Sequence, residues 1–78
     1  MGPDGYVRSD KEEKKINKLL ASVFTGNNGA EALKYIRKIT IEAVNGPDVS
    51  RDKLFHMEGM RYLAAIIEQR IMKGRKDE

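Results

Sequence analysis

The sequence predicts a small all-α domain of three helices with short connections and disordered termini. Apolar residues recur at spacings of three and four, which is the helical period, and no segment alternates polar and apolar residues as a strand does. Residues that start and stop helices divide the chain into three segments. With 78 residues, 40% of them apolar, the chain supplies one small domain. The formal net charge of +3 is too low at this apolar content for a fully disordered chain.

The first helix is predicted over residues 10–25. Ser9 followed three residues later by Glu12 forms a capping box, in which each side chain binds a free backbone N–H at the helix start. Gly26 is expected to end this helix, because glycine adopts a left-handed conformation without a Cβ clash. Residues 1–8 carry two glycines and a proline without apolar periodicity, so we expect a flexible lead-in. The buried face is predicted to comprise Ile16, Leu19, Leu20, Val23 and Phe24.

The second helix is predicted over residues 29–44. Asn28 with Glu31 three positions later repeats the start signal. Asn45-Gly46-Pro47 is expected to stop the helix, because proline cannot donate the next backbone hydrogen bond. The buried face is predicted to comprise Leu33, Ile36, Ile39, Thr40, Ala43 and Val44.

The third helix is predicted over residues 51–73, with Ser50 as its cap. Gly74 is expected to close the helix, which would end the domain at residues 9–74 and leave residues 75–78 as a charged tail. Gly59 lies inside the apolar face and costs about 1 kcal/mol relative to alanine, so we expect another helix to approach closely there; a tolerated glycine is the alternative. The buried face is predicted to comprise Phe55, Met60, Leu63, Ile66, Ile67 and Ile71.

Apolar residues on the opposite side of the third helix predict a protein interface. A chain this short is close to break-even between the entropy lost on ordering and the apolar area it buries, so a partner would stabilise it. We expect that partner to be a second copy in a homo-oligomer or a different protein; scattered surface hydrophobes on a self-sufficient bundle are the alternative. The predicted contact seam comprises Met57, Arg61, Ala64, Glu68 and Met72, with Ile41 as a secondary patch.

Several function classes find no support in the sequence. The absence of cysteine excludes a disulfide framework and a zinc thiolate site. His56 is the only histidine, and we expect it to be a partly buried structural residue, because no spacing supplies a catalytic partner. No apolar run approaches the ~20 residues that cross a bilayer. We therefore expect no enzyme activity, cofactor, metal site, small-molecule substrate or membrane partner.

Basic residues on the first two helices favour nucleic acid as an alternative partner. Clustered lysine and arginine side chains attract phosphates without reading the base sequence. The small net charge and the neighbouring acids Glu12 and Glu13 indicate that such binding would be weak. The candidate contacts are Lys11, Lys14, Lys15, Lys18, Lys34, Arg37 and Lys38.

Two short motifs between Val23 and Ile71 carry a family resemblance. The first is Phe24 with Gly29 and Leu33, and the second is Glu58-Gly59-Met60-Arg61 followed by apolar residues. With them the chain resembles a family of short tailed-bacteriophage proteins, many of them podovirus-like, whose genes tend to lie near those for virion structure and assembly. Ala30 stands where an arginine commonly follows the first glycine.

The resemblance implies a small helical fold and a phage setting, and it supplies no catalytic mechanism. A role in virion structure or assembly would place the protein in the host bacterial cytoplasm and in the virion. A protein that binds a host protein during infection is the alternative within the same setting.

Overall fold

The computed structural model describes residues 2–76 and consists of three helices, α1 (Asp10–Val23), α2 (Gly26–Ile39) and α3 (Arg51–Lys76). No strand occurs within this range, so the all-α three-helix class is confirmed. The predicted disordered ends include Met1, Asp77 and Glu78, which lie outside the described residues.

The start of α1 is confirmed, and its end differs from the prediction. The Ser9 hydroxyl accepts a hydrogen bond of 3.2 Å from the Glu12 backbone N–H. The helix ends at Val23, and Gly26 has the expected positive φ of 69° but begins α2 instead of ending α1. The two helices are therefore joined by two residues only. Gly29 makes this tight turn possible, because a Cβ there would lie 2.7 Å from the carbonyl carbon of Phe24.

Both ends of the second helix differ from the prediction. It begins at Gly26, three residues before the predicted start, with Thr25 and not Asn28 at the cap position, and it ends at Ile39, five residues earlier than predicted. The backbone N–H groups of Thr40 and Glu42 both donate to the carbonyl oxygen of Arg37, which turns the chain out of the helix. Arg61 of α3 then binds the carbonyl oxygens of Thr40, at 3.2 Å, and of Ala43. A side chain distant in sequence therefore binds two carbonyl oxygens at the point where the chain leaves the helix.

The third helix begins as predicted and continues through Gly74 to Lys76. The Ser50 hydroxyl accepts from the Lys53 backbone N–H at 3.2 Å. Gly74 packs against α1, where a Cβ would lie 2.8 Å from the Cβ of Ala21 and would overlap the carbonyl oxygen of Asn17. The close approach predicted at Gly59 is wrong within the single chain, because no atom lies within 4 Å of a Cβ placed there.

The lead-in predicted to be flexible folds back onto α3. The Tyr62 hydroxyl donates to the carbonyl oxygen of Pro3 at 3.0 Å. The Asp4 carboxylate accepts from Arg8 at 2.9 Å and from Arg70 at 3.3 Å. Polar contacts therefore tie residues 3–8 to both halves of α3, at Tyr62 and at Arg70.

The three helices enclose little interior. Within residues 2–76 the buried apolar residues are Ala21, Ala64 and Ile71, and no side chain is less than 2% exposed. The molecule is flat, 45 × 32 × 13 Å, and its radius of gyration of 14.5 Å exceeds the roughly 11.5 Å of a compact chain of this length. Its accessible surface of 6084 Å² is about a quarter larger than the ~4,800 Å² of a compact monomer of 8.9 kDa.

Candidate interaction surface

The predicted contact seam mostly faces the protein's own interior. Ala64 is 2% exposed, Arg61 binds the end of α2, and the Glu68 carboxylate accepts from Arg37 at 2.5 and 2.6 Å. Their predicted outward position is therefore wrong. Met57 and Ile41 are half-buried, and Met72 remains exposed.

Small side chains explain why α3 buries the stripe of residues that includes Ala64 and Gly74. Ala64 and Gly74 let neighbouring backbone approach, whereas larger apolar residues such as Leu63 would hold it away. Arg61 and Glu68 also lie on this stripe and find polar partners on the α2 side. The available sequence signal was a series of small residues and of charged residues able to form ion pairs, repeated at a spacing of three and four. The number of large apolar residues instead predicted that the other side of α3 is buried.

An ionic cluster fixes α1 and the lead-in against α3. Arg70 is 2% exposed and binds Asn17 at 3.0 Å, Glu13 at 2.7 Å and Asp4 at 3.3 Å. The Arg70 hydrogen bond, followed by that of Arg8, lowers the pKa of Glu13 below its usual 4.5. The Tyr6 backbone N–H and then Arg8 lower the pKa of Asp4 below its usual 3.8. Because each charge has a partner within the chain, the cluster acts as a structural clamp.

The N-terminal half of α3 presents an uncovered apolar surface, which we call the α3 apolar face and define as Phe55, Gly59, Tyr62 and Leu63. The three large side chains are 65%, 61% and 59% exposed, respectively. Phe55 and Leu63 were predicted to be buried, and that prediction is wrong for the single chain. Of the other predicted positions Ile71 is buried, whereas Met60, Ile66 and Ile67 are half-buried.

The other two helices also leave predicted core residues uncovered. Leu19 and Val23 lie four residues apart on α1 and are 60% and 59% exposed. Ile39 at the end of α2 is half exposed, and Val44 in the following connection is 91% exposed. Each helix therefore leaves part of its apolar face exposed to solvent, a feature that is typical of partner-binding surfaces.

The predicted basic surface divides into lysines that face solvent and an arginine that does not. Lys11, Lys14, Lys15 and Lys18 are exposed on α1, and Lys34 and Lys38 are exposed on α2. Arg37 is half-buried and pairs with Glu68 and Glu42, so its predicted place among the free basic contacts is wrong. Within residues 2–76 every ion pair uses an arginine and none uses a lysine.

The structure offers no enclosed site for a small ligand in the part of the chain that it describes. A cleft of about 370 Å³ opens between α2 and α3, and its lining includes Leu33, Ile71 and Met72, beside Glu68 in its pair with Arg37. His56 is exposed, which corrects its predicted partial burial. No group of three acidic, histidine or cysteine side chains within residues 2–76 could hold a metal ion.

Comparisons of the chain with protein-family models, curated proteins and solved structures find no match. None of the helices described for residues 2–76 has the length and apolar character needed to span a membrane. The surface itself therefore has to carry the functional argument. The α3 apolar face is the uncovered apolar surface on the longest helix of the described residues.

Proposed function

We propose that this chain is a non-enzymatic bacteriophage protein that acts by protein–protein association, in virion structure or assembly. The observation that supports association is the small core: three apolar residues are buried within residues 2–76, while twelve large apolar side chains in the same range are exposed. Such uncovered apolar surface is typical of partner-binding faces. The phage setting rests on the resemblance carried by the Glu58–Arg61 motif, and a host protein bound during infection is the alternative partner.

The Glu58–Arg61 motif has contacts that orient the α3 apolar face away from the rest of the chain. Glu58 accepts a hydrogen bond from Arg61 at 2.9 Å, and Arg61 binds the two carbonyl oxygens beyond α2. Gly59 between them lies on the α3 apolar face. The motif therefore anchors the α2–α3 connection on one side of the helix and leaves the opposite side open for a partner.

Thermal unfolding followed by circular dichroism tests the association. We expect the midpoint to rise between about 5 and 500 µM protein if the chain pairs with itself, because mass action stabilises the bound state. If the partner is another protein, we expect a low, concentration-independent midpoint and binding of a dye that detects exposed apolar surface. A rigid, cooperatively unfolding monomer that binds no such dye at any of these concentrations would contradict the proposal.

A second candidate function, weak phosphate contact with nucleic acid, is favoured by the four exposed lysines of α1. Lys11, Lys14, Lys15 and Lys18 recur at the helical spacing, and their charges are not used in the ion pairs of residues 2–76. Four phosphate contacts to B-DNA would give a slope of log affinity against log salt of about −3.6.

Fluorescence anisotropy with a short DNA duplex over a range of salt concentrations tests this candidate. Changing the four lysines together to glutamine should abolish the salt slope, whereas changing the same four to arginine should preserve it. Equal affinity of the two variants would exclude the α1 lysines as the contact.

A further inference from the structure

We infer that the α3 apolar face pairs with the same face of a second copy of this chain, with the two α3 helices antiparallel and crossing at Gly59. The inference rests on the proposed function, which it deepens by naming the partner. This pairing gives a role to Phe55, Tyr62 and Leu63, the most exposed of the large apolar side chains on α3.

The spacing of the face is symmetric about its glycine. Phe55 lies four residues before Gly59 and Leu63 lies four residues after it, so all three share one side of the helix. An antiparallel two-fold arrangement centred on Gly59 places Phe55 of each copy against Leu63 of the other. The same operation places Tyr62 against His56, because each is three residues from the centre. A self-complementary patch of this kind is what an isologous dimer requires.

Gly59 supplies the space for the crossing. Apart from the neighbouring backbone of α3 itself, no atom of residues 2–76 lies within 4 Å of a Cβ built at this position, although glycine in an exposed helix interior costs about 1 kcal/mol relative to alanine. Between Phe55 and Leu63 the missing side chain leaves a shallow gap, about 12 Å long at 1.5 Å rise per residue. The backbone of a second helix fits such a gap, as it does where small residues face each other in closely packed helix pairs.

The charge next to the crossing does not oppose the pairing. Glu58 would lie near its own copy close to the two-fold axis, where two unpaired carboxylates would repel each other. Arg61 binds the Glu58 carboxylate at 2.9 Å within the same chain and so offsets its charge. Like-charge repulsion at the centre is therefore reduced before the two copies meet.

The exposed area of the α3 apolar face supplies a large part of the area that a dimer interface buries. Phe55, Tyr62 and Leu63 expose on the order of 400 Å² per chain, or about 800 Å² from two chains. The half-buried Ile66, seven residues after Gly59, lies on the same side of the helix and extends the contact toward the roughly 1,200–2,000 Å² of stable interfaces. The accessible surface of the whole chain exceeds that of a compact monomer by ~1,300 Å², which accommodates a contact of this size.

Disulfide trapping tests the geometry directly, because the chain contains no cysteine. Glu58→Cys should form a covalent dimer under mild oxidation, since a two-fold axis at Gly59 places residue 58 beside its own copy and the substitution leaves the gap at Gly59 open. Ala32→Cys, exposed on α2, is the control and should cross-link only at the slow rate of random collision. Equal cross-linking of the two variants would overturn the proposed crossing.

Sedimentation equilibrium of two charge substitutions tests the surface. Leu63→Glu and Leu19→Glu are matched, because the two leucines are 59% and 60% exposed. We expect Leu63→Glu to raise the dimer dissociation constant at least about tenfold and Leu19→Glu to leave it unchanged. The reverse pattern would overturn the pairing through α3 while leaving association itself supported. A wild-type chain that stays monomeric at about 500 µM would also overturn the pairing. The proposed function would be contradicted as well only if that monomer is rigid and does not bind the dye that detects exposed apolar surface.

Discussion

Replacing Gly74 by alanine is the sharpest test of how α1 and α3 meet. An added Cβ would lie 2.7 Å from the carbonyl carbon of Asn17 and 2.8 Å from the Cβ of Ala21, and it would overlap the Asn17 carbonyl oxygen. Ordinary carbon contacts are 3.5–4.0 Å, so the helices would have to separate by about 1 Å. Because α1 backbone supplies two of these atoms, a rotamer change cannot relieve the overlap.

Two opposing effects determine the size of the change. Overpacking a close contact costs about 1–3 kcal/mol, and alanine returns about 1 kcal/mol in helix propensity. The expected net loss is therefore roughly 0–2 kcal/mol of the free energy of unfolding. In a domain of this size each kcal/mol moves the melting temperature by about 4–8 °C. The expected decrease is then up to about 16 °C.

Thermal and urea unfolding at fixed protein concentration measure this change. Gly46→Ala provides the control, because nothing lies within 4 Å of its Cβ and its φ is not positive. That substitution should be stabilising by about 0.4–1 kcal/mol through the unfolded state. If Gly74→Ala were also stabilising, the close α1–α3 contact derived above would be refuted.

Two further predictions concern the polar contacts of the fold. Arg61→Gln should lower the free energy of unfolding by about 1–3 kcal/mol, because the Thr40 and Ala43 carbonyl oxygens lose a charged donor. The control Arg51→Gln, at an exposed position, should change the free energy of unfolding by less than ~0.5 kcal/mol. Equal effects of the two variants in urea unfolding would contradict this role of Arg61. The pKa values of Asp4 and Glu13 are lowered in the folded state, so their stabilisation is complete above about pH 5 and is lost as the pH falls through those lowered values. Melting temperatures between about pH 7 and pH 2 should therefore fall less in a variant combining Asp4→Asn and Glu13→Gln than in the wild type, and parallel curves would exclude the carboxylates as the cause.

Local signals in the sequence predicted the starts of α1 and α3, but not the start of α2 or the ends of the helices. Ser9 and Ser50 act through backbone N–H groups within the next three or four residues, so their effect depends on local sequence alone. The end of α2 depends on Arg61, which lies 21 residues from Thr40, and no local pattern contains that contact. Gly74 shows the same limit, because a glycine that ends a helix and one that admits a neighbouring helix look identical in sequence.

The buried side of α3 could not be read from the sequence because both of its sides are apolar. Counting large side chains favoured the side of Phe55 and Leu63, whereas the fold buries Ala64 on the other side and, of the α3 residues predicted to be buried, only Ile71. Size decides between them, since helices packed through alanine and glycine come closer than helices held apart by leucine and phenylalanine. Most of the predicted contact seam therefore lies on the side of α3 that packs within the chain, and the uncovered apolar residues lie on the side predicted to be buried.

Arginine contacts, and not a large apolar core, join the helices of this chain, and this arrangement favours association with a partner. Arg37, Arg61 and Arg70 join α3 to α2, to the connection beyond α2 and to α1, respectively. Such polar contacts fix the direction of a helix, but partly exposed ion pairs contribute little to the free energy of folding. The apolar area that would stabilise a monomer is instead left on the outside, where a single chain gains nothing from it. A second surface that covers the α3 apolar face would supply the missing burial, so folding and association of this protein are expected to be coupled.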